Sequence, residues 1–352
     1  AIINDLDLDG GIKDVYEQVG ILAGTCISNT MINDETLEKI ILDNFSTVTL
    51  ENEMKPDALL DQKASFEKGE VVVTFQPKTI KLLDWAKDNE MTVRGHVLIW
   101  FDQTPNWLFH EDYDARNDLI DREEGLIRME SYIRQVFEQL EELEYSDMFI
   151  SYDVVNEALE DDGVLKASKW LDIIGEDYIW HAFNFANQYA PDHIKLYYND
   201  YNEQFKLDHV VELVSALVDE NGQYLIDGIG CQGHLYTYDS VNRYVETLMA
   251  FKDTGLDVEI TELDVALGSW QTPIGASDDN LRMQGDYYYR LISTIVGENF
   301  RENTNISSIT FWGFADNLSW KRDRHPLLFD EEMNPKYSYY GAKLDKENVG
   351  FE

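Results

Sequence analysis

Eight short runs of β-branched and aromatic residues recur along the chain at roughly even spacing, each followed by a stretch whose apolar residues fall at helical offsets. They are ILAGTCI from Ile21, TVTLENE from Thr47, TVRGHVLIW from Thr92, FISYDVVNE from Phe149, IKLYYND from Ile194, DGIGCQGH from Asp227, DVEITELD from Asp257 and SSITFWGF from Ser307. Such near-continuous hydrophobicity belongs to strands covered on both faces, and alternating helices provide the cover. Residues 33–45 predict one of these helices, with Leu37, Ile40, Ile41 and Phe45 in a stripe. Residues 203–220 predict another, with Val210, Val211, Leu213, Val214 and Leu217. A chain of 352 residues has room for two domains. Strand and helix nevertheless alternate eight times with no Pro-rich or Ser-rich linker and no shift in composition. The expected fold is therefore α/β, a single (β/α)8 TIM barrel with residues 1–352 as one domain.

Parallel barrels build their active sites at the C-terminal ends of the strands, and the polar residues of this chain gather there. Glu51, Asn52 and Lys55 close the second run, His96 and Trp100 the third, Asn156 and Glu157 the fourth, and Asn199 and Asp200 the fifth. Gln232 and His234 close the sixth, Glu262 and Asp264 the seventh, and Trp312 follows on the eighth. One polar residue at a strand end is ordinarily the first residue of a solvated loop. Seven ends carrying acid, amide, imidazole or indole groups imply convergence on one mouth. Indoles stack on sugar rings, amides and imidazoles address hydroxyls, and paired carboxylates suggest glycoside hydrolysis. One carboxyl must then hold a proton while the other is ionised, so their environments have to differ.

The charge balance excludes other classes. With 68 acidic against 28 basic side chains the formal charge is −40, which repels nucleic-acid backbones and anionic membranes. The first residues, AIINDLDLDG, lack the basic start and apolar centre of a signal peptide, and no apolar stretch approaches membrane-spanning length, so a soluble chain is expected. Cys26 and Cys231 sit in apolar runs as small hydrophobes, which excludes a disulfide framework. GIGCQG at 228–233 matches the letters of G-x-G-x-x-G, but its last glycine leads into HLYTYD, which does not start a helix. Gly228 and Gly230 are expected instead to relieve a crowded strand, and no cofactor is expected. A zinc hydrolase would have to join His96 and His234 to Glu51 or Asp200, yet no H-x-x-x-H, H-x-H or paired-cysteine spacing occurs, and no metal is expected. A non-catalytic sugar-binding barrel would keep Trp100, Trp312 and Trp320 without needing both Glu157 and Glu262. Trp85, Trp170 and Trp180 lie in helical stripes as packing residues, and Trp270 has no assigned role.

The motifs ENEMKP, RGHVLIW, YDVVNE, NDYN, GIGCQGH, ITELDV and FWGFADNLSW, in that order on successive runs, resemble the glycoside hydrolase family 10 endo-β-1,4-xylanases. The similarity spans essentially the whole chain and extends to WLDIIGEDYIWHAFNFA and PLLFDEEMNPKYSYY. The resemblance implies Glu157 as acid/base and Glu262 as nucleophile, with Asn156 on the sugar 2-hydroxyl, His234 against the nucleophile and Gln232 beside the reacting sugar. It further implies Glu51, Asn52, Lys55, His96, Trp100 and Gln103 as the grip on the glycone, with Trp312 and Trp320 closing over it. Tyr201 and Asn202 are the implied platform beyond the cleaved bond. The implied partners are xylan and xylooligosaccharides; because polymeric xylan does not enter cells a secreted enzyme is expected, with a cytoplasmic one acting on imported oligosaccharides as the alternative, and a monomer is expected. Two positions depart from the family: Phe101 stands where histidine is common, removing a polar contact near the acid/base, and Tyr152 stands where tryptophan is common, which alters packing more than chemistry.

Overall fold

In the computed structural model, which describes residues 2–350, every predicted run contains a strand. The strands are β1 (Leu22–Ile27), β2 (Thr47–Leu50), β3 (Thr92–Ile99), β4 (Phe149–Asn156), β5 (Lys195–Asp200), β6 (Gly228–Cys231), β7 (His234–Tyr236), β8 (Asp257–Ala266) and β9 (Ile306–Phe311). The sixth run thus yields two strands. Gly233 has φ +72°, a left-handed conformation that a strand does not pass through, so pairing stops at Cys231 and resumes at His234. The strand order in the sheet is β6-β5-β4-β3-β2-β1-β9-β8-β7, with β6 pairing additionally with β8. With β6 and β7 counted as one interrupted strand, a helix lies between every two successive strands, and this is the order of a (β/α)8 barrel.

The chain divides into two compact units. One comprises Ala1–Val48, Tyr201–Leu207 and Gly230–Glu352. In it β9 pairs in parallel with β1 and with β8, through Leu22↔Ser308 and Leu263↔Phe311, and β8 pairs with β7 through His234↔Asp264. The other comprises Thr49–Asp200 and Asp208–Ile229. There β4 pairs in parallel with β3 through His96↔Asp153 and with β5 through Asn156↔Asn199. Positions 1, 351 and 352 of the expected single domain lie outside the described residues.

Local chemistry sets the helix ends. The helix expected over 33–45 runs Glu35–Asn44 because the Asp34 carboxylate accepts the amides of Thr36 and Leu37, capping its start. Leu37 and Ile41 are buried on its inner face. The helix expected over 203–220 is shorter. A 3-10 turn at Glu203–Phe205 precedes the α-helix Leu207–Ser215, and the helix ends because Val218 pairs with Tyr224 across a turn containing Gly222 at φ +75°. Val210 and Val214 are buried on the helix, whereas Leu217 is buried beyond its end.

Two glycines are dictated by close approach. A Cβ at Gly95 would lie 2.2 Å from the Tyr152 ring, and one at Gly228 would lie 2.3 Å from the Tyr197 ring. Tyr152 is fully buried between Phe137 and Phe149, with centroids at 5.4 and 6.1 Å, and among the described residues its buried hydroxyl has no hydrogen-bond partner. Trp170 is buried edge-on to Phe109, and Trp180 donates its indole N–H to the Val218 carbonyl at 2.9 Å, while Trp85 is half-buried. Trp270 is exposed, and Cys26 and Cys231 are buried. Among the described residues no helix is long and apolar enough to cross a membrane.

Candidate active site

The unit containing β3, β4 and β5 holds Glu157. This residue directly follows β4 at φ +53°, an uncommon conformation away from glycine, and its amide donates to the Asn199 carbonyl at 2.8 Å. Its carboxylate accepts from two neutral donors, the Trp100 indole N–H and the Asn156 amide, each at 3.3 Å. Asn156 is in turn fixed by Asn199, whose amide nitrogen donates to its carbonyl oxygen at 3.0 Å. Lys55 donates to Asn52 and to Gln103, both at 3.0 Å, and lies 5.1 Å from the centre of the Trp100 ring. Glu51 is half-buried. Desolvation raises its carboxyl above the usual range, with Lys55 opposing and Glu53 adding to the rise.

His96 is anchored through one ring nitrogen. Its Nδ1 lies 2.8 Å from Asp153, and Asp153 also accepts two bonds from Arg94 at 2.7 and 3.2 Å, all three side chains being buried. Burial acts to raise the Asp153 carboxyl, but Arg94 and His96 outweigh it and hold the group below its ordinary range. Phe101 is exposed at 43%, edge-on to Trp100, and its ring lies 4.9 Å from the Lys166 ammonium. Lys166 is carried on a hairpin just past Glu157, closed by Leu159↔Leu165 and by the Lys166 amide donating to Ala158 at 2.8 Å.

The unit containing β1, β7, β8 and β9 holds Glu262. The Glu262 amide donates to the Gln232 carbonyl at 2.8 Å, and one carboxylate oxygen lies 3.0 Å from His234 Nε2. His234 Nδ1 lies 2.9 Å from Asp264, whose other oxygen accepts the Trp320 indole N–H at 2.9 Å. The Trp320 ring meets the imidazole edge-on at 4.8 Å. Desolvation works against charge on His234, yet the ion pairs and hydrogen bonds to Asp264 and Glu262 prevail and lift it to about 10. The two carboxylates favour the protonated ring, in which both nitrogens donate, one to Asp264 and one to Glu262. Trp312 is buried and joins this group through its backbone, its amide donating to the Leu263 carbonyl at 2.9 Å. Tyr201 carries the Lys206 ammonium 4.3 Å from its ring centre, and Asn202 adopts φ +52°.

A family model described as Glycosyl hydrolase family 10 matches residues 11–344. The chain belongs to that family. Among curated family 10 relatives, endo-1,4-β-xylanase B of Butyrivibrio fibrisolvens is 33% identical over 94% of this chain and 52% of its own length. Endo-1,4-β-xylanase A of Thermotoga maritima is 35% identical over 94% of this chain and 30% of its own length. The chain thus spans about half or less of the curated relatives it matches first. Among solved structures, the intracellular xylanase of Thermoanaerobacterium saccharolyticum, as a glutamate-to-alanine mutant with xylotetraose, superimposes with a TM-score of 0.83 at 29% identity over 96% of this chain and 99% of that one. The CBM22-1 and family 10 modules of a Clostridium thermocellum endo-1,4-β-D-xylanase, complexed with xylohexaose, give 0.82 at 30% identity over 92% of this chain and 65% of that one.

Sequence reasoning located Glu157 and Glu262 but missed what holds them. Asp264 was legible as a strand-end acid, whereas its grip on both His234 and Trp320 was not. Arg94 and Asp153 were missed outright, and their signal was present: opposite charges interrupting two apolar runs that lie side by side in the sheet. Glu203, buried and accepting the Gly233 amide at 3.3 Å, was read as helix.

The lifted proton affinity of His234 has a consequence for stability. A group whose pKa rises on folding contributes stability that is complete below its unfolded value, 6.5, and disappears as pH climbs through its folded value of about 10. Between those limits the urea midpoint of the wild-type protein is expected to fall more steeply than that of His234→Gln. Parallel pH slopes for the two proteins would rule out a charged His234.

Proposed function

We propose that this chain is an endo-β-1,4-xylanase that cleaves internal xylosidic bonds with retention of configuration, Glu262 acting as nucleophile and Glu157 as acid/base. The observation that carries the reading is the asymmetry of the two carboxylates. Glu262 lies against an imidazolium, which favours the ionised form needed for attack at the anomeric carbon. Glu157 accepts from the Trp100 indole N–H and the Asn156 amide, which orient its carboxyl for the acid/base role. In the first step Glu157 protonates the leaving oxygen as Glu262 displaces it, forming a covalent glycosyl ester. In the second, Glu157 takes a proton from water, whose oxygen displaces Glu262 and restores both groups.

Asn52, Lys55, Gln103 and Trp100 form one hydrogen-bonded and stacked group with Glu157, the arrangement expected of a glycone grip that also includes Glu51 and His96. Asn156 addresses the 2-hydroxyl, Gln232 the reacting sugar, and Trp312 and Trp320 cover it. Tyr201 and Asn202 serve the leaving side. The relatives named as xylanases, and two different glutamate-to-alanine mutants of the Thermoanaerobacterium enzyme holding xylotetraose and xylotriose, support the substrate class. Polymeric xylan does not enter cells, so secretion follows from the substrate. Because that relative is described as intracellular, recovery of activity in culture medium rather than lysate is the check.

Reducing-sugar release from xylan is expected to exceed that from a soluble cellulose derivative by at least about tenfold, the discrimination available to a pocket that excludes one exocyclic group. Comparable rates on both would sink the substrate assignment. Proton NMR of the first product from a β-xylooligosaccharide should show the β-anomer ahead of mutarotation, and an initial α-anomer would overturn the retaining mechanism.

A further inference from the structure

We propose that a cavity between the loops following β2 and β3 is an accessory binding site for a neutral stretch of xylan, outside the catalytic cleft. The inference rests on the xylanase reading above and adds to it a contact that only long substrates can use.

The cavity has a volume of about 470 Å³, within the roughly 300–1,000 Å³ of small-ligand sites. Its walls come from the end of the helix Gln62–Lys68, the 3-10 turn Glu111–Tyr113 and the segment leading into the helix Arg122–Glu142, and no residue of the glycone grip lines it. Two large apolar side chains on these walls are open to solvent, Phe66 at 63% and Leu119 at 45%. Gathered at one concave site, they offer a ligand an apolar surface.

Arg128 lines the same cavity although it is nearly fully buried. Its Nε donates to Glu124 at 2.9 Å, its Nη1 donates to the carbonyls of Leu108 and His110 at 2.8 and 2.9 Å, and its guanidinium carbon lies 4.0 Å from the Tyr113 ring centre. Nη2 donates to no group among the described residues. A fixed, buried guanidinium thus keeps both N–H groups of one nitrogen for whatever enters.

The charges around Arg128 select the ligand. Asp121 is committed to the Glu124 amide and Glu124 to Arg128, but Glu111 and Asp112 are exposed and neither carboxylate accepts a hydrogen bond among the described residues. An anionic ligand is repelled by these two and by the chain's −40, and a cationic one would have to lie against Arg128. A neutral ligand bearing hydroxyls avoids both conflicts, because a hydroxyl accepts from Nη2 and donates to a carboxylate. Its C–H faces then rest on Phe66 and Leu119. A β-1,4-linked xylose chain has this chemistry.

Position ties the cavity to the substrate. Asn52 and Lys55 open the loop that runs on to Phe66, and Gln103 opens the loop that runs on to Glu111–Tyr113. The two loops are joined near the grip by the Asp57 amide donating to the Gln103 carbonyl at 2.9 Å, and near the cavity by the Gln62 side-chain amide donating to the Tyr113 carbonyl at 2.9 Å. Both leave the C-terminal ends of barrel strands, the face on which the cleft is built. A polymer held in the cleft is therefore presented to the cavity at high effective concentration, which a short substrate is not.

The test compares the wild type with Phe66→Ala/Asp112→Asn on soluble neutral arabinoxylan and on an aryl xylobioside confined to the cleft. Asparagine accepts the left-handed backbone of position 112, φ +54°, so that substitution removes the charge alone. KM for the polymer is expected to rise about threefold or more, the size of one exposed stacking contact, with kcat/KM for the aryl xylobioside unchanged. Phe66→Trp should keep the polymer KM. In a Glu262→Ala background, which leaves the sugar intact, the Phe66→Trp indole should also add a fluorescence change on titration with xylohexaose. An unchanged polymer KM in the double variant overturns the accessory site, as does an equal loss on both substrates or a titration identical to that of Glu262→Ala alone. A wild-type enzyme that cleaves neither substrate overturns the xylanase reading, and this inference with it.

Discussion

Replacing Glu262 by alanine is expected to reduce turnover by about 10^5-fold or more on xylan and on activated aryl xylosides alike, because loss of the nucleophile closes the covalent route whatever group departs. Glu157→Ala should divide the two substrates. Xylan has a poor leaving group and needs the proton, so its kcat/KM is expected to fall by about 10^2- to 10^4-fold. An aryl oxygen of low basicity leaves without help, so kcat/KM for the activated substrate should be nearly preserved. Its kcat should still drop, since the second step loses the base that activates water, and KM should drop with it as glycosyl-enzyme accumulates. Steady-state kinetics of both variants on both substrates decide the matter. Equal losses for both variants on both substrates would show that the roles of Glu157 and Glu262 have been misassigned.

That prediction draws on residues visible in the sequence, and the reason is geometric. A parallel barrel strand is covered on both faces, so an acid stands out in its apolar run, as Glu157 does directly after Val154–Val155 of β4; Glu262, expected to close its run, lies instead inside β8, which continues to Ala266. Long-range pairings leave no such trace. Trp320 bonding Asp264 across 56 positions, or Lys166 lying on Phe101, depends on where loops fold back, which no local period encodes. The helix expected to reach residue 220 fails for a related reason. Its apolar spacing continues to Leu217, but an antiparallel bridge at Val218 satisfies the backbone in another way and ends the helix at Ser215. Gly233 broke the sixth strand because its left-handed backbone, read in sequence as the tail of a glycine motif, is a conformation rather than a composition. The Lys166 cation over Phe101 likewise comes from a hairpin whose closure the sequence does not announce.

Asp153→Ala is expected to destabilise the protein by about 3–5 kcal/mol, more than any sugar-contacting substitution, because it removes the carboxylate that pairs with the buried Arg94 guanidinium and unfastens His96 Nδ1 together. The cost comes from the charge left behind rather than from the contact removed. Arg94→Met combined with Asp153→Leu should therefore lose less than the sum of the two single variants, since neither charge is then buried alone. The pH dependence has a definite sign. Asp153 has a depressed pKa in the folded protein, so its contribution is present above the ordinary carboxylate range and is lost as pH falls through that range and below it. The wild-type protein should thus approach the stability of Asp153→Ala in acid. Urea unfolding followed by tryptophan fluorescence and far-ultraviolet circular dichroism measures these differences, and one coincident transition by both probes is expected if residues 1–352 are a single domain. Strictly additive losses in the double variant would mean that Arg94 and Asp153 do not stabilise one another. His96, with Nδ1 fixed by Asp153, keeps its other nitrogen in a set orientation, so a loss of kcat/KM that follows Asp153 while the protein remains folded reports the imidazole's role in binding sugar.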